Sequence, residues 1–85
     1  MLAPNPASSA TSTLLYMLEE DGSVEILMIH EEYPEDVVKI INKKNEKAGK
    51  YTVEIDPSLI RRKGRYVISL IVNGKVKETK RLLVE

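Results

Sequence analysis

GKYTVEIDPSLIRRKGRYVISLIVNGKVKETKRLLVE, residues 49–85, reads as three consecutive strands with turn chemistry at each junction. From Gly49 to Asp56 the pattern alternates, with Tyr51, Val53 and Ile55 on one face and Thr52 and Glu54 on the other. Asp56-Pro57-Ser58 breaks that strand and can cap one helical turn at Leu59-Ile60. Gly64 to Val72 is the next strand. Asn73-Gly74 between β-branched residues is a strong short hairpin signal, because both turn positions need positive φ. Lys75 to about Val84 is the returning strand.

Working back toward the N-terminus, Val37 to Asn42 reads as a strand and the charged run Lys43 to Lys47 as a loop. Glu31 to Asp36, with Pro34, is a loop. Ser23 to His30 is a strand with apolar residues on both faces at Ile26 to Ile29, as expected of a central strand. Glu19-Glu20-Asp21-Gly22 is a turn, and Thr13 to Leu18 is a strand with Leu14, Tyr16 and Leu18 on one face. Residues 1–12 are small and polar with two prolines and read as a linker entering that strand. Short strands at this spacing predict an all-β, Ig-like antiparallel β-sandwich of about seven strands over residues 13–85. The rival is a small mixed fold with a helix at 34–47. Pro34 and the Val-Val and Ile-Ile pairs at 37–38 and 40–41 argue against it.

The chain has 85 residues, enough for one domain and a thin core; it buries roughly 60–65% of its unfolded surface. It has no Cys, which excludes disulfides and thiolate metal sites. No apolar stretch approaches the ~20 residues of a membrane helix. No basic segment followed by an apolar run precedes Pro4, so no secretory signal is expected here.

Net charge is zero but segregated. Residues 1–42 hold one base, Lys39, and eight acids, while residues 43–85 hold twelve bases and five acids. A basic half can meet an anionic partner such as nucleic acid or lipopolysaccharide. The alternative is that early acidic and late basic strands neutralise each other side by side. The bases are interleaved with core positions and lack an aromatic stacking set, which favours the alternative and argues against nucleic acid.

Residues with possible chemistry are few. His30 is the single histidine, and of its neighbours Glu31 and Glu32 only Glu32 can share its side of a strand. A metal site needs three or four converging ligands, so His30 is expected to sit at a strand end in contact with water. Asp21-Gly22 and Asp56 lack the repeated Asp-x-Asp spacing of a calcium loop. Ser58 and Ser69 have no histidine at plausible spacing. No Gly-rich phosphate loop is present. The expectation is a non-enzyme with no catalytic residues, metal, cofactor or small-molecule substrate.

Gly64-x-Tyr66 matches a strand-opening corner in which the Tyr hydroxyl bonds back to an upstream backbone group. The ordered set Pro4-Asn5-Pro6, Ala48-Gly49-x-Tyr51, Asp56, Leu59, Gly64-x-Tyr66, Gly74, Lys80 and Val84 resembles the C-terminal sorting domain of proteins exported by the type IX secretion system of Bacteroidota. One segment departs from that pattern: where the family usually has Asn then Gly between its second and third strands, this chain has His30 to Asp36, with Pro34 or Glu35 where the Gly would sit.

The resemblance implies the C-terminal part of a larger secreted or outer-membrane-surface protein, reached through the periplasm. Its implied partners are the protein components of the outer-membrane secretion and sortase machinery, together with a fused N-terminal cargo domain. The implied sorting-motif residues are Pro4, Asn5, Pro6, Gly64, Tyr66, Gly74, Lys80 and Val84. Lys80 and Arg81 can also serve only to keep an edge strand soluble. The alternative function is a passive Ig-like or fibronectin-type-III-like spacer of a larger extracellular protein.

Overall fold

The computed structural model describes residues 2–4 and 12–84. Six of its strands have seven residues or more: β2 (Ser12–Leu18), β3 (Gly22–His30), β4 (Val37–Glu46), β5 (Gly49–Ile55), β6 (Gly64–Val72) and β7 (Lys75–Val84). A three-residue strand, β1 (Leu2–Pro4), precedes them. A short 3-10 turn, Pro57–Leu59, lies between β5 and β6. No α-helix occurs among the described residues, so the rival with a helix at 34–47 does not hold; β4 occupies most of that segment.

The strands form two antiparallel sheets, β1-β2-β5 and β4-β3-β6-β7. The chain crosses between sheets at β2–β3, β4–β5 and β5–β6. Other successive strands are neighbours within one sheet. This is an all-β, Ig-like sandwich, as the turn spacing predicts.

The core follows from period-two alternation. Leu14, Tyr16 and Leu18 of β2 face Val24, Ile26 and Met28 of β3 and Tyr66, Ile68, Leu70 and Val72 of β6, and all are buried. Ile55 and Leu82 complete the layer from the edge strands β5 and β7. Tyr16 and Tyr51, opposite each other in β2 and β5, stack with ring centres 5.3 Å apart. Burying side chains of this size contributes about 1.5–3 kcal/mol each before the entropy of ordering them is subtracted.

Four sequence expectations change. Leu2–Pro4 is strand β1, paired with Leu14–Tyr16, rather than linker. Asn5 and Pro6 lie outside the described residues. The charged run from Lys43 is strand as far as Glu46, because β3 supplies backbone partners, with Lys43 opposite Val24 and Glu46 opposite Gly22. An edge strand needs no apolar side chains to complete a ladder. The helical turn sits two residues earlier than expected, at Pro57–Leu59, with Asp56 accepting from Ser58 N at 2.9 Å. His30 is buried, only 2% exposed, rather than in contact with water.

Both edges of the four-stranded sheet are irregular. An extra residue on β4 falls between the Ile26–Ile41 and Leu27–Lys39 pairs, and one on β7 between Leu70–Glu78 and Ile71–Val76. Bulges of this kind twist an edge and discourage pairing with another chain.

Candidate functional site

Tyr66 is the third residue of β6, in the alternating row that continues through Ile68, Leu70 and Val72. Its ring is buried, and its hydroxyl donates to the Arg62 carbonyl at 2.8 Å, four residues upstream. The predicted corner is therefore formed. Burial raises the Tyr66 phenol above its ordinary value, partly offset by the bond to Arg62.

The corner is built on His30. The last residue of β3 pairs with Tyr66, and the two rings meet edge to face at 4.8 Å. Both ring nitrogens serve the backbone. Nδ1 accepts from the N–H groups of Glu32 at 3.0 Å and Tyr33 at 3.2 Å. That fixes the tautomer: the proton is on Nε2, which donates to the Lys63 carbonyl at 2.9 Å. One side chain thus holds the β3–β4 loop against the segment leading into β6.

This arrangement also explains Gly64. Its φ is +124°, and a Cβ there would lie 2.9 Å from His30 Nε2. Around the outside, Arg62 donates to Asp36 and lies 3.9 Å over the Tyr33 ring. The Asp36 hydrogen bond raises the Arg62 guanidinium above its ordinary value. The loop around Pro34, which departs from the sorting-domain pattern, is thereby fastened by His30 and Arg62. An open groove beside it is lined in part by Asp36, Val38, Leu59, Arg61 and Tyr66.

The other candidates divide by register. Gly64 is opposite Val84 and Tyr66 opposite Leu82, so Gly64, Tyr66 and Val84 share one end of the β6–β7 hairpin. Gly74 is at the far end, in the turn with Asn73 at φ 50° and Gly74 at φ 79°, as Asn-Gly predicts. Lys80 lies between, opposite buried Ile68, and therefore on the core-facing side of an edge strand. Its side chain is half exposed, with the ammonium 3.8 Å from Glu78. Pro4 is opposite Leu14 in the other sheet. The proposed motif residues thus form no single cluster.

Sequence reasoning missed two features. The inward row Val24, Ile26, Met28 continues by alternation to His30, so its burial was legible. Gly49-x-Tyr51 repeats the Gly64-x-Tyr66 spacing, and the Tyr51 hydroxyl also bonds a carbonyl four residues upstream, that of Lys47, at 2.5 Å. The two β5 and β6 entries therefore carry the same device.

Chemically, the end is saturated. Both His30 nitrogens are engaged with backbone, which leaves no lone pair to act as a base. Among the described residues no three His, Asp or Glu side chains converge to hold a metal ion. No protein-family model matches the chain, and no curated protein or solved structure matches it either.

Proposed function

We propose that this chain is a non-catalytic sorting module of the type IX secretion kind, read by outer-membrane secretion machinery while fused to a cargo. The observation that carries the reading is β7. It forms an outer strand of the four-stranded sheet and presents Lys80, Arg81 and Leu83 to solvent while Leu82 anchors it in the core. The bulge in β7 discourages strand addition, so the side chains exposed on either side of Leu82 are the surface suited to recognition. The ordered residues Gly64, Tyr66, Gly74, Lys80 and Val84 support the same reading through their resemblance to the sorting domains.

A second reading, a passive Ig-like or fibronectin-type-III-like spacer, is favoured by one observation. Packing on His30 fully accounts for Gly64 and Tyr66, so neither needs a receptor. Lys80 separates the two. Its exposed pair with Glu78 is worth about 0–1 kcal/mol, so Lys80→Ala leaves the melting temperature nearly unchanged. With the domain fused to a periplasmic reporter in a type IX-competent host, the sorting reading expects delivery to the surface or medium and a sharp fall for Lys80→Ala. A folded fusion that stays in the periplasm overturns that reading; normal export of Lys80→Ala removes Lys80 from it.

A further inference from the structure

The edges of this sandwich are protected unequally. β4 and β7 each carry a bulge, and β7 also turns Glu78 and Lys80 toward the core side. β1 has three residues. β5 has none of these protections: its seven residues pair with β2 in unbroken register, and among the described residues no strand lies on its other side. Its inward residues Tyr51 and Val53 are only partly buried, as expected where a neighbouring strand is missing.

We propose that β5 pairs antiparallel with β5 of a second copy, about a two-fold axis at Thr52. The sequence Gly49-Lys50-Tyr51-Thr52-Val53-Glu54-Ile55 is complementary to itself in that register. Lys50 falls opposite Glu54 of the other copy, and Glu54 opposite its Lys50. On the same exposed face Thr52 meets Thr52 on the axis. On the core face Tyr51 meets Val53, an aromatic and β-branched pairing, twice. Opposite charges, paired threonines and aromatic–β-branched pairs are each favourable cross-strand neighbours. Lys50 and Glu54 are exposed, and neither forms an ion pair among the described residues. A shift by one residue in the pairing loses this match. The contact is isologous and closes at two copies, giving a six-stranded sheet β1-β2-β5-β5-β2-β1. It stands independently of the sorting reading.

The test is sedimentation equilibrium from about 10 μM to about 1 mM, since one strand edge gives a weak interface. A reversible monomer–dimer equilibrium is expected. Lys50→Glu alone or Glu54→Lys alone places like charges opposite each other at both symmetric contacts and weakens the dimer about tenfold or more. The double exchange Lys50→Glu with Glu54→Lys restores it to within about threefold. Thr52→Lys sets two ammonium groups on the axis and abolishes it. For the unmodified chain, amide exchange in β5 slows with concentration at alternate residues. That reading is independent of whether any variant folds. A monomer throughout the range, or a dimer indifferent to all three substitutions with unchanged β5 exchange, overturns the proposal.

Discussion

Tyr66 joins two kinds of interaction that substitution separates. Removing the ring by Tyr66→Ala leaves a cavity beside His30 and Ile68 and is expected to cost about 3–5 kcal/mol. A small domain has about 5–15 kcal/mol in total, so this variant should be largely unfolded on warming. Tyr66→Phe keeps the ring and loses only the bond to Arg62, about 1 kcal/mol. Urea denaturation of both variants checks the order; similar midpoints would show that the ring adds little.

Gly64 and His30 are coupled through one close approach. Gly64→Ala is strained by its φ of +124° and by the contact with Nε2, together about 2 kcal/mol or more. In a His30→Ala background the second part vanishes, so Gly64→Ala should cost less there by at least ~0.5 kcal/mol. A double-mutant cycle measures the difference. Additive costs would show that backbone strain alone selects glycine. The burial of His30 was open to prediction, since it extends an inward row. Its joining of the β3–β4 loop to the segment before β6 was not, because the Lys63 carbonyl lies 33 residues away along the chain.

Among the elements, the β6–β7 hairpin does more than reverse the chain. Asn73 donates its backbone N–H to the Ser23 carbonyl and accepts from Ser23 N through Oδ1, each at 3.0 Å. Its side chain lies where a Cβ on Gly22 would fall, so a side chain at position 22 would displace it. The turn is therefore tied to the start of β3. Asn73→Ala loses the side-chain acceptor and a left-handed conformation that Asn tolerates, and is expected to cost about 1–2 kcal/mol; Asn73→Asp keeps both and costs less. Thermal unfolding of the pair tests this.

The turn itself was readable from Asn-Gly, and so were the interiors of β2, β3, β5 and β6, whose alternation is set by the core. The C-terminal end of β4 was not. Lys43 to Glu46 is strand because of hydrogen bonds to β3, and edge-strand side chains carry little record of that. For the candidate site, the glycine and tyrosine positions were legible while their clustering was not. Gly74 and Gly64 stand at opposite ends of one hairpin.

For the molecule as a whole, the segregated charge resolves across strands and loops. Lys47 meets Asp21, Arg62 meets Asp36, Lys77 meets Glu20 and Arg81 meets Glu31, each joining the basic half to the acidic half. Exposed pairs of this sort contribute about 0–1 kcal/mol apiece, so they set approach and solubility more than stability. Titration at high pH acts on the core instead. The phenols of Tyr16, Tyr51 and Tyr66 all stand above the ordinary value of 10.0, with burial the leading cause in each. A raised folded-state value favours the neutral phenol. The associated stability is therefore whole below pH about 10 and is lost as pH rises through the folded-state values. Tyrosinate absorbance should rise late and together with loss of the β-sheet circular dichroism signal. Ionisation of Tyr16 and Tyr66 well before unfolding would contradict their burial.

The pairing of the two central strands has a kinetic consequence. β3 and β6 bring Val24 against Val72 and His30 against Tyr66, although β4 and β5 lie between them in the chain. The hairpins β3–β4 and β6–β7 can close early, because each needs only a short loop. The core cannot form until a loop of roughly forty residues has been closed, an entropy cost met before any central contact offsets it. The barrier to folding is therefore one of topology, and the chain belongs among domains that fold in milliseconds to seconds rather than microseconds.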